Sequence, residues 1–62
     1  MENKKQEILE KVEKLLNEIQ DLGIDIWELG QKEEKENYKY AENSADFAFD
    51  ELVNIKKQLE NV

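Results

Sequence analysis

Apolar residues in the first half of the chain fall at Ile8, Val12, Leu15, Ile19, Leu22, Ile26 and Leu29, with spacings that alternate between four and three. That alternation is the heptad signature of a helix presenting one seam to a partner. The second half repeats it at Tyr38, Ala41, Ala45, Ala48, Leu52, Ile55, Leu59 and Val62. Between the two runs, Gln31 to Asn37 (QKEEKEN) holds no apolar residue, so the pattern predicts helix one over about 3–29, a turn over about 30–37 and helix two over about 38–61. Ser44 offers an alternative cap for helix two, which would lengthen the joint to roughly 30–43.

Folded back antiparallel, the two seams match when partner numbers sum to 67, as in Leu29 with Tyr38, Leu22 with Ala45, Leu15 with Leu52 and Ile8 with Leu59. A register one heptad away leaves Ile55 and Leu59 beyond the end of helix one. Large residues then face alanines near the turn, and the helices are expected to approach closely there. The fold class that follows is all-α, an antiparallel helical hairpin forming a single domain over 1–62.

The stretch LGIDIWELG, residues 22–30, places two glycines in this pattern with the only tryptophan between them. If helix one runs through, Gly23, Trp27 and Gly30 share one stripe of its surface and the indole has open space on both sides. If glycine acts as a helix terminator, Gly30 is the more natural stop, and Asp25 with Glu28 can cap a restart after Gly23. The unbroken heptad phase favours continuity at Gly23, whereas Gly30 is expected to end the helix.

The apolar stripe is wider than a two-position seam, because Leu9, Leu16, Gly23 and Trp27 on helix one and Phe49 and Val53 on helix two run beside it. Three apolar positions in seven is the pattern of helices in a bundle. The hairpin is therefore expected to form a homodimer, a four-helix bundle, through Leu9, Leu16, Gly23, Trp27, Phe49 and Val53. In architecture this resembles the small hairpin dimers exemplified by the plasmid RNA-binding repressor of primer. The basic RNA-binding face of that protein has no counterpart here, and the Ser-Gln-Glu-Leu-Asp signature of the short sporulation phosphatases is missing.

Composition narrows the chemistry. The 62 residues include no cysteine, histidine or proline, which removes disulfides, thiolate nucleophiles, imidazole bases and the usual zinc ligands. All nine basic residues are lysine and the net charge is −7, so direct nucleic-acid binding is not expected. The charged start MENKKQEILEK lacks a signal-peptide core and no stretch is long enough to span a bilayer, which predicts a cytoplasmic protein without membrane contact. Acidic stripes at Asp21, Asp25 and Glu28 and at Glu42, Asp46 and Asp50 lack any calcium-loop or Glu-x-x-His pattern. No metal, no cofactor and no catalytic residue is expected, and the protein is read as a non-enzyme.

Charge and aromatics both concentrate near the turn. Residues 18–51 hold eleven acids against Lys32, Lys35 and Lys39, a net of −8, and also all five aromatics. An acidic field with aromatic anchors suits a protein partner with a basic surface. The expected contact residues are Ile24, Trp27, Tyr40, Phe47, Asp46 and Asp50. The functional expectation is a small acidic inhibitor or modulator of another protein, of the antidefence, antirepressor or nucleic-acid-mimic kind found in phages and mobile elements. A structural or assembly module is the alternative, and a regulatory phosphatase a remote one.

Overall fold

The computed structural model describes residues 3–62, so Met1 and Glu2 of the expected 1–62 domain lie outside it. Two helices, α1 (Asn3–Glu33) and α2 (Glu36–Glu60), pack against each other as a hairpin. With no proline and few glycines, neither helix meets a residue that breaks it. Lys32 in the last turn of α1, Glu36 in the first turn of α2 and Lys57 in its last turn each carry the charge that the helix dipole favours.

The turn is shorter than the sequence pattern suggests. Helix α1 runs through Gly30 to Glu33, and neither glycine has a positive φ, so Gly30 is not the stop. Glu34 takes that role: its N–H donates to the Gly30 carbonyl at 3.0 Å and its φ of 49° is left-handed. Lys35 is extended, and the Tyr38 N–H donates to its carbonyl at 3.0 Å, closing the first turn of α2. The helix also continues without a break through Gly23, and Ser44 lies inside α2 rather than capping it. The polar run QKEEKEN is thus mostly helix, since Glu, Lys and Gln are good helix formers that need no apolar partner on a solvent face.

This two-residue connection sets both register and rotation. Gly30 lies opposite Tyr38 and Gly23 opposite Ala45, pairs that sum to 68 rather than 67. Along α1 the seam runs through Leu9, Val12, Leu16, Ile19, Gly23, Ile26 and Gly30, and along α2 through Tyr38, Glu42, Ala45, Phe49, Leu52, Lys56 and Leu59, with Lys5, Ile8, Ala48 and Val53 half-buried beside it. The expected seam used Leu15, Leu22 and Leu29 instead, and these are 48%, 49% and 40% exposed. Ala41 and Ile55 are likewise left outside. The α1 stripe carries apolar residues on both sides of the Val12, Ile19, Ile26 column, and the hairpin closes on the side holding the glycines.

The result is long and thin, 50 × 15 × 10 Å in backbone extent with a radius of gyration of 14.6 Å. A compact chain of this length would have a radius of about 11 Å. Among the described residues only Val12 and Ala45 are buried, and no large side chain is fully enclosed. At the open end the Lys5 ammonium donates to the Val62 carbonyl oxygen at 3.3 Å, and about two turns further in Lys56 donates to both oxygens of Glu13 at 3.1 and 3.2 Å. These exposed contacts order the ends and contribute little stability.

Left-handed φ costs a residue with a Cβ roughly 1 kcal/mol that glycine avoids. Glu34→Gly is therefore expected to stabilise the hairpin by about 1 kcal/mol, read as a raised denaturation midpoint at fixed protein concentration. An unchanged or lowered midpoint would show that the turn is not built on that conformation.

Candidate functional site

Trp27 stands on α1 between two depressions. On one side Gly23 leaves a cleft of about 360 Å³ between the helices, walled by Ile24, Trp27 and Phe49 and rimmed by Gln20, Glu42 and Asp46. On the other side Gly30 leaves a second, smaller depression toward the turn, about 270 Å³, bordered by Ile26, Tyr38 and Lys39. Both include Trp27 and Glu42, so the indole and that carboxylate are shared between them. The indole is 51% exposed.

The two glycines have different local reasons. A Cβ added at Gly30 would sit 3.4 Å from the Tyr38 Cβ, at the near limit of ordinary contact, so glycine there lets the chains approach beside the turn. A Cβ added at Gly23 would lie 4.0 Å from the Ala45 Cβ, with room for a methyl group. Inside a helix glycine costs about 1 kcal/mol relative to alanine. Close packing does not explain Gly23, whose effect is to keep the cleft floor open.

The expected contact residues divide into two groups. Ile24, Trp27 and Asp46 line one cleft, whereas Asp50 lies one turn beyond Asp46 on α2 and is exposed. Tyr40 and Phe47 sit on the outer side of α2, away from the seam, 59% and 67% exposed and two turns apart. They do not join Ile24 in one patch. Among residues expected to form a dimer face, Leu9, Leu16, Gly23 and Phe49 are covered positions of the seam between α1 and α2. Trp27 and half-buried Val53 flank that seam. The pairing of the hairpin's own helices thus occupies most of that expected surface.

Glu42, expected only as one of the acids of the turn half, is placed by the structure on the seam itself. It occupies a covered seam position one turn after Tyr38, and among the described residues no lysine lies within ion-pair distance of it. Its signal in the sequence was phase: 38, 42, 45, 49 is as regular a heptad as 38, 41, 45, 48, but a carboxylate at 42 argued against reading it so. Half-covered between Trp27 and Asp46 with no internal cation, Glu42 is an acceptor available to a partner.

Nearer the turn, the Tyr38 hydroxyl donates to Glu33 Oε1 at 2.9 Å. That bond, with partial desolvation and the carboxylate charge, raises the Tyr38 phenol above its ordinary 10.0. The Glu13 carboxylate raises Lys56 above 10.5, by hydrogen bonding first and charge second. No three acidic residues among those described converge closely enough to hold a metal ion. No described helix is long and apolar enough to cross a membrane. Comparison with protein-family models, curated proteins and solved structures finds no match.

Two measurements follow. Gly23→Ala should stabilise the isolated protein by about 1 kcal/mol, because the helix gains and nothing is displaced. A loss of stability would mean that the methyl does meet something. In a Tyr40→Phe background, the absorbance titration of Tyr38 should have its midpoint above 10.0 and move back toward it in Glu33→Ala. Because the folded value is raised, this contact's stabilisation is full below pH 10.0 and is lost as pH rises through the folded midpoint.

Proposed function

We propose that this protein is a non-enzymatic, cytoplasmic inhibitor or modulator that binds a partner protein through the cleft beside Trp27. The observation that carries this reading is a helix that keeps glycine at position 23 although a methyl group would fit there. A cleft that costs the free protein stability is explained when an apolar partner side chain enters it between the indole, Ile24 and Phe49. Glu42 and Asp46 on its rim then accept from a neighbouring lysine or arginine.

The surroundings favour a basic partner. The half of the hairpin that contains the cleft, residues 18–51, carries a net −8, and such a field accelerates encounter with a positive surface. Tryptophan is a frequent anchor at interfaces. Tyr40 and Phe47, on the far side of α2, extend the available aromatic surface for a partner that wraps the helix.

Affinity capture from a host lysate tests this when wild type is run beside Gly23→Ala, Trp27→Ala and an Asp46→Lys/Asp50→Lys double variant. A basic protein should be retained by wild type at low salt, released as salt rises, and weakened at least about tenfold by each change. Gly23→Ala is the most telling variant, since it should bind less while being more stable. Equal retention by all four proteins would reject the cleft as the binding site.

A further inference from the structure

The opposite face of the hairpin carries no such mixture. Leu15, Leu22 and Leu29 recur every seven residues along α1, and Ala41, Ala48 and Ile55 do the same along α2. Leu15, Ile19, Leu22, Ala48, Leu52 and Ile55 line one groove between the helices, with Glu18 and Glu51 as its charged lining residues. The leucines and Ile55 are between 40% and 49% exposed. The hairpin leaves nearly half of each in water.

We propose that a second copy of this chain covers this face, stacking hairpin on hairpin through the Leu15, Leu22, Leu29 and Ala48, Ile55 columns to form a four-helix bundle. Area is the first reason. The chain exposes 5245 Å², whereas an ordinary folded monomer of 7.4 kDa exposes roughly 4,200 Å². The excess, roughly 1,000 Å², matches the area of about 800 Å² that each partner contributes to a stable standard-size interface. The face has a backbone footprint of 50 × 15 Å, about 750 Å².

Shape is the second reason, and it selects a copy of the same chain. The face has a leucine ridge on α1 beside a lower row on α2 where Ala41 and Ala48 stand. A two-fold axis parallel to the helices lays each ridge over the other copy's alanine row, an isologous contact between faces of equal length and heptad spacing. Stacking also supplies a shared interior for Ile19 and Leu52, which are only half-buried in one hairpin. The Trp27 cleft lies on the other side and stays open, so this inference does not depend on what binds there.

The absence of cysteine allows a direct test with single thiols. Leu22 and Ile24 are 49% and 52% exposed in one hairpin, but they lie on opposite sides of it. Leu22→Cys and Ile24→Cys would therefore react with a maleimide at similar rates in a monomer. In the proposed dimer, Leu22→Cys reacts at least about tenfold more slowly and speeds up on dilution, while Ile24→Cys reacts freely. Sedimentation of wild type should give twice 7.4 kDa, with association strengthened by salt because each copy carries −7. A Leu22→Cys variant that sediments as a monomer beside a dimeric Ile24→Cys variant also supports this face as the contact. Equal labelling rates within dimeric variants would place the interface elsewhere and overturn the proposal. A wild type of 7.4 kDa at high concentration would overturn it too, leaving the face to a different protein.

Discussion

A helix whose apolar stripe is three positions wide cannot cover that stripe with one neighbour, and this constraint shapes the whole molecule. Two helices in contact shield roughly two positions in seven from each other. In α1 the column Val12, Ile19, Ile26 has Leu9, Leu16, Gly23 and Gly30 on one side and Ile8, Leu15, Leu22 and Leu29 on the other. The hairpin closes on the glycine side, where backbones can come together, and leaves the leucine side half in water. With nothing larger than valine buried among the described residues, one hairpin has little interior of its own.

Helices, antiparallel return and the position of the joint were legible because heptad spacing and a polar interruption are local signals. Rotation about the helix axis was not. Both choices of second column obey the same three-four alternation, and leucine looks a better core residue than glycine when each position is judged alone. What decides between them is the geometry of Glu34 and Lys35, where a non-glycine residue adopts left-handed φ and holds Gly30 against Tyr38. A glutamate carries no such signal, and the glycine four residues earlier offered a more ordinary stop.

The same rotation explains how the candidate site was partly visible. Ile24, Trp27 and Asp46 come together because they flank the seam on its glycine side, and exposure of Tyr40 and Phe47 follows from their place on the back of α2. Glu42 was hidden because a carboxylate is an unusual occupant of a seam. Leu9, Leu16 and Phe49 were assigned outward for the reason that misplaced the leucines: each belongs to the column that the turn directs inward. Site and fold therefore share one geometric origin, and an error in rotation moves both.

The start of α1 and the end of α2 meet at the open end of the hairpin, where Lys5 reaches the Val62 oxygen. An affinity handle, a dye or a surface tether attached after Val62 would sit far from the turn on a molecule 50 Å long. Immobilised that way, the hairpin stands upright like a bristle, with its acidic, aromatic half presented to solution.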